Sequence, residues 1–136
     1  MALSQSGGGY QVGDGNTNEV ALAVQQYPVQ TSGASATLTT AQVTGGTLVA
    51  GNGLTAAIAY TTPTGAQLDA AIPNATKVGQ SFEMVIINLG TSSAAITLTG
   101  GTNVNIIGLN TLAASTSAFF EWVKVGDGAW NLYRQS

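Results

Sequence analysis

Along the 136-residue chain, apolar and polar residues alternate over short stretches, and Gly, Asn or Pro interrupts the alternation every few positions. That is the pattern of short strands joined by tight turns. Val20, Leu22 and Val24 alternate with Ala21, Ala23 and Gln25 until Tyr27-Pro28 ends the run. Ala36 to Thr40, Val43 to Val49 and Leu54 to Tyr60 follow, separated by Gly45-Gly46 and Gly51-Asn52-Gly53. The strand signal is strongest in Ser81 to Asn88, Ala95 to Thr99, Val104 to Ile107, Ala118 to Val125 and Ala129 to Tyr133. Between these runs, Leu89-Gly90-Thr91, Thr99 to Thr102, Gly108 to Asn110 and Gly126-Asp127-Gly128 read as hairpin turns. One stretch departs from the period of two. Thr64 and Gln67 fit a capping box, Leu68 and Ile72 fall one turn apart on one face, and Pro73-Asn74 stops the run, which predicts one short helix. The whole predicts an all-β domain, a jelly-roll-like β-sandwich with one short helix.

Residues 1–18 have no period and hold Gly7-Gly8-Gly9 and Gly13-Asp14-Gly15, residues that lose most entropy on ordering. We read them as a flexible N-terminal arm that orders on a partner, with Gly7, Gly8, Gly9 and Tyr10 as its contact residues, and 19–136 as a single β domain. Thr44-Gly45-Gly46-Thr47 recurs as Thr99-Gly100-Gly101-Thr102, which we read as repeated turn chemistry, since little around it matches.

Two strands are apolar on both faces. Phe82, Met84 and Ile86 oppose Glu83, Val85 and Ile87, and Phe119, Val123 and Val125 oppose Phe120 and Trp122. A sandwich strand ordinarily keeps one wet face, so two apolar faces predict burial in the domain on one side and against a second subunit on the other. Phe82, Met84, Val85, Ile87, Phe120 and Trp122 are the expected subunit-interface residues.

Charge then removes most functional classes. Three Lys or Arg and six Asp or Glu give a net charge of -3, with only 7% of residues charged, against about 25% in an average domain. Lys77, Lys124 and Arg134 are too scattered to neutralise a phosphate backbone, so no nucleic-acid partner is expected. The absence of His and Cys removes the usual zinc sites, Cys and Ser-His nucleophile systems and disulfides, so no metal, cofactor or catalytic residue is expected. What remains is a polar, uncharged surface of Gly, Thr, Ser, Asn and Gln, which offers little electrostatic resistance to association with other chains. No basic n-region with an apolar run opens the sequence, and no apolar stretch approaches the roughly 20 residues of a membrane helix, so neither a signal peptide nor a membrane partner is expected.

Four local patterns were weighed for chemistry. Gly51-Asn52-Gly53-Leu54-Thr55-Ala56 has dinucleotide-fingerprint spacing, but β-branched residues and Pro63 follow where a helix is required. Asp14, Asn16 and Asn18 start like a calcium loop, yet Glu19 and Gln25 stand where Gly and Glu belong. Glu83 and Glu121 are the only acids in strong strands; a facing carboxylate pair is the equipment of a glycosidase, and the structural reading is strand-face hydrogen bonding or pairing with a cation. Trp130, Asn131 and Tyr133 are the candidate glycan contacts, an aromatic platform flanked by an amide, against the alternative that the aromatics fill a core.

Val78-Gly79-Gln80-Ser81-Phe82-Glu83, Val85-Ile86-Ile87-Asn88, Ala95-Ile96-Thr97-Leu98-Thr99-Gly100-Gly101-Thr102 and Gly128-Ala129-Trp130-Asn131-Leu132-Tyr133, preceded by Gly65 to Ala75, resemble a small β domain of tailed-bacteriophage virion proteins. The domain occurs in capsid decoration (cement) proteins, head fibres and some fibre or spike tips, and the resemblance covers roughly residues 63–134. It implies a non-enzymatic homotrimer made in the host cytoplasm and carried on the outer surface of the capsid, with the major capsid protein as partner. The alternative it implies is a receptor- or glycan-binding tip module of a tail fibre or spike. An arm plus one such domain, without a shaft repeat or coiled coil, corresponds to the decoration protein.

Overall fold

The computed structural model describes residues 35–136 and the two-residue strand Val29–Gln30. The expected arm, with Gly7, Gly8, Gly9 and Tyr10, and the run around Val20 to Val24 lie outside the described residues. The chain is mainly β. Its strands are β1 (Val29–Gln30), β2 (Ala36–Thr37), β3 (Thr47–Ala50), β4 (Ile58–Thr61), β5 (Ser81–Asn88), β6 (Ile96–Thr99), β7 (Val104–Ile107), β8 (Thr111–Leu112), β9 (Ser117–Gly126) and β10 (Ala129–Arg134); helices α1 (Thr40–Thr44) and α2 (Gly65–Ala71) interrupt them.

The strands form a six-stranded sheet in the order β1-β3-β5-β9-β10-β7 and a four-stranded sheet in the order β2-β4-β6-β8. From β1 to β9 each successive strand joins the other sheet, so the chain circulates between the two, and β1, β3, β5 run parallel while β2, β4, β6 do the same. The parallel β7–β10 pair makes five parallel pairings against three antiparallel. A jelly roll is built from antiparallel Greek keys, and this winding differs from it. The turns expected to close hairpins mostly do something else: Leu89-Gly90-Thr91, Thr99 to Thr102 and Gly108 to Asn110 each carry the chain from one sheet to the other, as does the tight turn Gly51-Asn52-Gly53. Of the turns read as hairpins, Gly126-Asp127-Gly128 alone joins two paired strands, β9 and β10.

Helix α2 forms where expected. Thr64 Oγ1 accepts the Gln67 N–H, and the Gln67 side chain accepts the Thr64 N–H, closing the capping box. The same device, Thr39 with Gln42, opens α1, inside a stretch expected to be strand. Four donors at a helix start need partners, and each Thr-x-x-Gln supplies two acceptors, enough to settle these short helices once Val43 and Leu68 are buried. A single core cluster draws on both sheets and both helices: Leu48, Met84, Ile86, Phe120, Trp122, Trp130 and Leu132 from the larger sheet, Tyr60, Ile96, Leu98 and Leu112 from the smaller, with Val43 and Leu68.

Candidate functional site

The outward face of the six-stranded sheet carries apolar residues in register. Burial alternates along β5 and β9 so that Met84 and Ile86, and Ala118, Phe120 and Trp122, point to the core. The other set points out, and the register lines it up in rows: Thr47–Val85–Phe119, Val49–Ile87–Ser117 and Ser81–Val123–Asn131. Phe119 and Val125 remain 37% and 41% exposed, and Ile107 at the sheet edge 41%. Single exposed apolar residues are unremarkable on a protein surface, but contiguous rows mark a contact face.

Within this face stands a fourth row, Glu83–Glu121–Tyr133–Ile107. The Val85 N–H donates to Gly46 O at 2.7 Å on the β3 side, and the Asn88 N–H donates to Thr116 O at 2.8 Å on the β9 side. Odd-numbered β5 residues therefore turn their backbone away from β9, and Glu83 and Glu121 form a non-hydrogen-bonded pair, the kind that holds side chains closest. Like charges opposite one another destabilise a sheet. Neither carboxylate joins the one ion pair among the described residues. They stand side by side on one sheet face.

The six expected interface residues divide. Val85 and Ile87 lie on the outward face, whereas Met84, Phe120 and Trp122 are fully buried in the chain's own core. Those three are corrected to core residues: the period of two shows which residues share a face, not which face is inside. Phe82 is half-buried, stacked on Trp122 at 5.9 Å and edge-on to Trp130 at 5.7 Å. Phe119, absent from the six, is exposed on the outward face opposite Val85. The glycan triad does not assemble either. Trp130 is 1% exposed and points to the core, while Asn131 and Tyr133 point out and bond to each other, Asn131 Nδ2 donating to the Tyr133 hydroxyl at 3.0 Å.

Two buried polar knots hold the frame behind this face. Asp69 on α2 accepts from Lys124 Nζ at 2.6 Å and Trp130 Nε1 at 2.8 Å through one oxygen, and from the Gly128 N–H at 2.7 Å through the other. Lys124 also lies over the Trp130 ring, 5.5 Å from its centroid. The hydrogen bond from Lys124 is the main reason the Asp69 carboxyl is held below its ordinary pKa, against a smaller opposing effect of burial. Helix and hairpin touch so closely that a Cβ on Gly65 would overlap the Gly128 carbonyl. The second knot is Asn88, the one inward position of β5 that is polar. Its Nδ2 donates to the carbonyls of Ala94, Leu112 and Ala113, and its Oδ1 accepts the Gly90 N–H, which ties the β5–β6 loop to the end of β8. The Tyr60 hydroxyl and Trp122 Nε1 are buried without a hydrogen-bond partner. Burial raises the Tyr60 pKa, and the Gly51 backbone, near but outside hydrogen-bond geometry, tempers the rise.

Where α2 ends, a cleft of about 330 Å³ opens, lined by Ile72, Asn74 and Ala75 after the helix, Thr44 of α1, Gln80 to Glu83 and Trp130. Its floor is the Phe82 and Trp130 rings. It borders the first half of β5, ahead of the point where Thr47 begins the pairing with Val85. Among the described residues no group of three or more acidic side chains converges as a metal site, and no helix is long and apolar enough to cross a membrane. Compared with models of protein families, with curated proteins and with solved structures, the chain matches none of them.

Proposed function

We propose that this protein is a non-enzymatic structural component of an assembly, a capsid decoration protein of the tailed-phage type that binds the outer surface of the head as a homotrimer. The observation that carries the assembly reading is the outward face of the six-stranded sheet, where Val85, Ile87 and Phe119 stand in adjoining rows and Val123 lies beyond the Glu83–Glu121 row. Apart from the Glu83–Glu121 row, burying such a face against neighbours desolvates few ions, which fits a chain with only 7% charged residues. The resemblance of residues 63–134 supplies the head, the trimer and the major capsid protein as partner. In this reading the two sheets form a β-sandwich body, and residues 1–18 extend over an adjacent capsid subunit.

Light scattering on the purified chain tests the assembly face. A trimer is expected, and Phe119→Asp should shift it toward monomer while leaving the thermal melt of the domain nearly unchanged, since Phe119 lies outside the core. A wild-type monomer at tens of micromolar would refute the reading of the face. Electron microscopy of labelled protein added to undecorated heads tests the location. Binding should persist in 1 M salt, where the screening length falls to about 3 Å; a steep loss of head binding in salt would overturn an apolar mode of attachment.

A further inference from the structure

The cleft beside β5 combines three features. The first is an open strand edge. Odd-numbered β5 residues direct their backbone toward β3, and Val85 finds Gly46 there. One step earlier α1 and its C-cap Gly45 occupy the chain, so the backbone groups of Ser81 and Glu83 face no strand among the described residues. The second is the apolar floor of Phe82 and Trp130 immediately beside that edge. The third is the carboxylate pair. Glu83 lines the cleft and stands opposite Glu121 on the outward face.

The chain's own cations do not serve this pair. Lys124 is bound to Asp69 behind the sheet, and the Arg134 guanidinium donates to the carbonyls of Leu109, Thr111 and Ser136. Lys77, in the turn that leads into β5, joins no ion pair among the described residues. Residues 1–28 contain no Lys or Arg.

A strand added to an open edge places alternate side chains on opposite faces of the sheet. Here one position would meet the Phe82 ring, with Trp130 behind it, and the next would emerge beside Glu83, with Glu121 one strand further across the sheet. We propose that this cleft receives an extended segment of a partner protein that pairs with the Ser81 and Glu83 backbone, seats an apolar side chain on the aromatic floor and brings a Lys or Arg to Glu83, the nearer of the two glutamates. The negative charge of the pair selects the cation, and the absence of a complementary cation in residues 1–28 points to a partner rather than to the chain's own N-terminal part. The inference does not depend on the virion reading; a partner from any source with this alternation satisfies it.

The probe is a fluorescent peptide, acetyl-Thr-Leu-Arg-Leu-Thr-amide, titrated into the full chain. Saturable binding near 10⁻⁴ M is expected for so short a strand. N-methylation of the backbone amides that face β5 should weaken it at least tenfold, replacement of Arg by Glu in the peptide should weaken it further, and the double variant Glu83→Gln, Glu121→Gln should cost about three- to fivefold. Ala75→Trp, which fills the cleft, should abolish binding. In amide NMR the largest shifts should fall on Ser81 to Met84. Equal binding of the parent and N-methylated peptides would overturn the proposal without any change to the protein. So would a Glu83 amide already protected from hydrogen exchange in the free chain, because the edge would then be filled by the chain itself.

Discussion

Removing the Asp69 carboxylate should cost more stability than any other single surface-proximal change, and the cost should be recoverable. In Asp69→Ala the Lys124 ammonium keeps its buried position, 4% exposed, and loses its counter-charge, while Trp130 Nε1 and the Gly128 N–H lose their acceptor. Breaking a buried ion pair from one side costs about 3–5 kcal/mol. Because the Asp69 side chain is 28% exposed, water reaches that end and the lower figure, about 3 kcal/mol, applies. For a chain of this length that corresponds to a fall in Tm of roughly 12 °C. The assay is thermal and urea unfolding of four proteins: wild type, Asp69→Ala, Lys124→Met and the double variant. Lys124→Met in the Asp69→Ala background removes the stranded charge and should restore at least half of the loss. A double variant as unstable as the sum of the two singles would refute the idea that the cost is an uncompensated charge. The pH dependence has a definite sign. The Asp69 carboxyl is held below its ordinary value of 3.8 in the folded state, so its contribution is complete above that pH and is lost as pH falls through it toward the lowered folded value. Asp69→Ala should lack that part of the acid sensitivity.

Asn88→Ala leaves three carbonyls and the Gly90 N–H without their partner and should destabilise by about 3 kcal/mol in urea unfolding; a cost under about 1 kcal/mol would mean that water replaces the side chain freely. Gly65→Ala forces α2 away from the Gly128 carbonyl and should unfold cooperatively at a much lower temperature. Gly53→Ala, with space around it and only a positive φ to satisfy, should cost about 1 kcal/mol. Thr39→Ala and Thr64→Ala should each cost about 1 kcal/mol through lost helix caps, read by the same melts.

The parts of this fold that local chemistry decides were legible in the sequence. Thr64 and Gln67 announce α2, and the period of two marks β5, β9 and β10 to within a residue or two. Thr39 and Gln42 carry the same capping signal for α1 and could have been read; the β-branched residues around them, Thr37, Thr40 and Val43, favoured strand instead. Which sheet each strand joins was not legible. A Gly-Asn-Gly turn gives the same local bend whether it closes a hairpin or crosses a core, and the choice between them is made by contacts far along the chain. For the same reason β5 and β9, apolar on both sides, did not disclose which side faces inward. Asn88 decides the matter only once the Ala94, Leu112 and Ala113 carbonyls converge on it. The Glu83–Glu121 pair depends on register between strands distant in sequence, which alternation leaves open.

The order in which the strands are synthesised bears on how the larger sheet comes into being. β9 and β10 come latest in sequence among the described strands, yet β9 lies between β5 and β10 near the middle of that sheet. During synthesis β1, β3 and β5 can align while the β9 side of β5 waits for a strand the ribosome has not made. Non-local pairing of this kind folds slowly. A nascent chain stopped before residue 117 would carry an unpaired strand edge along the length of β5, a template for aggregation. The centre of the sheet therefore does not exist until residues 117–126 have been made, long after β1, β3 and β5.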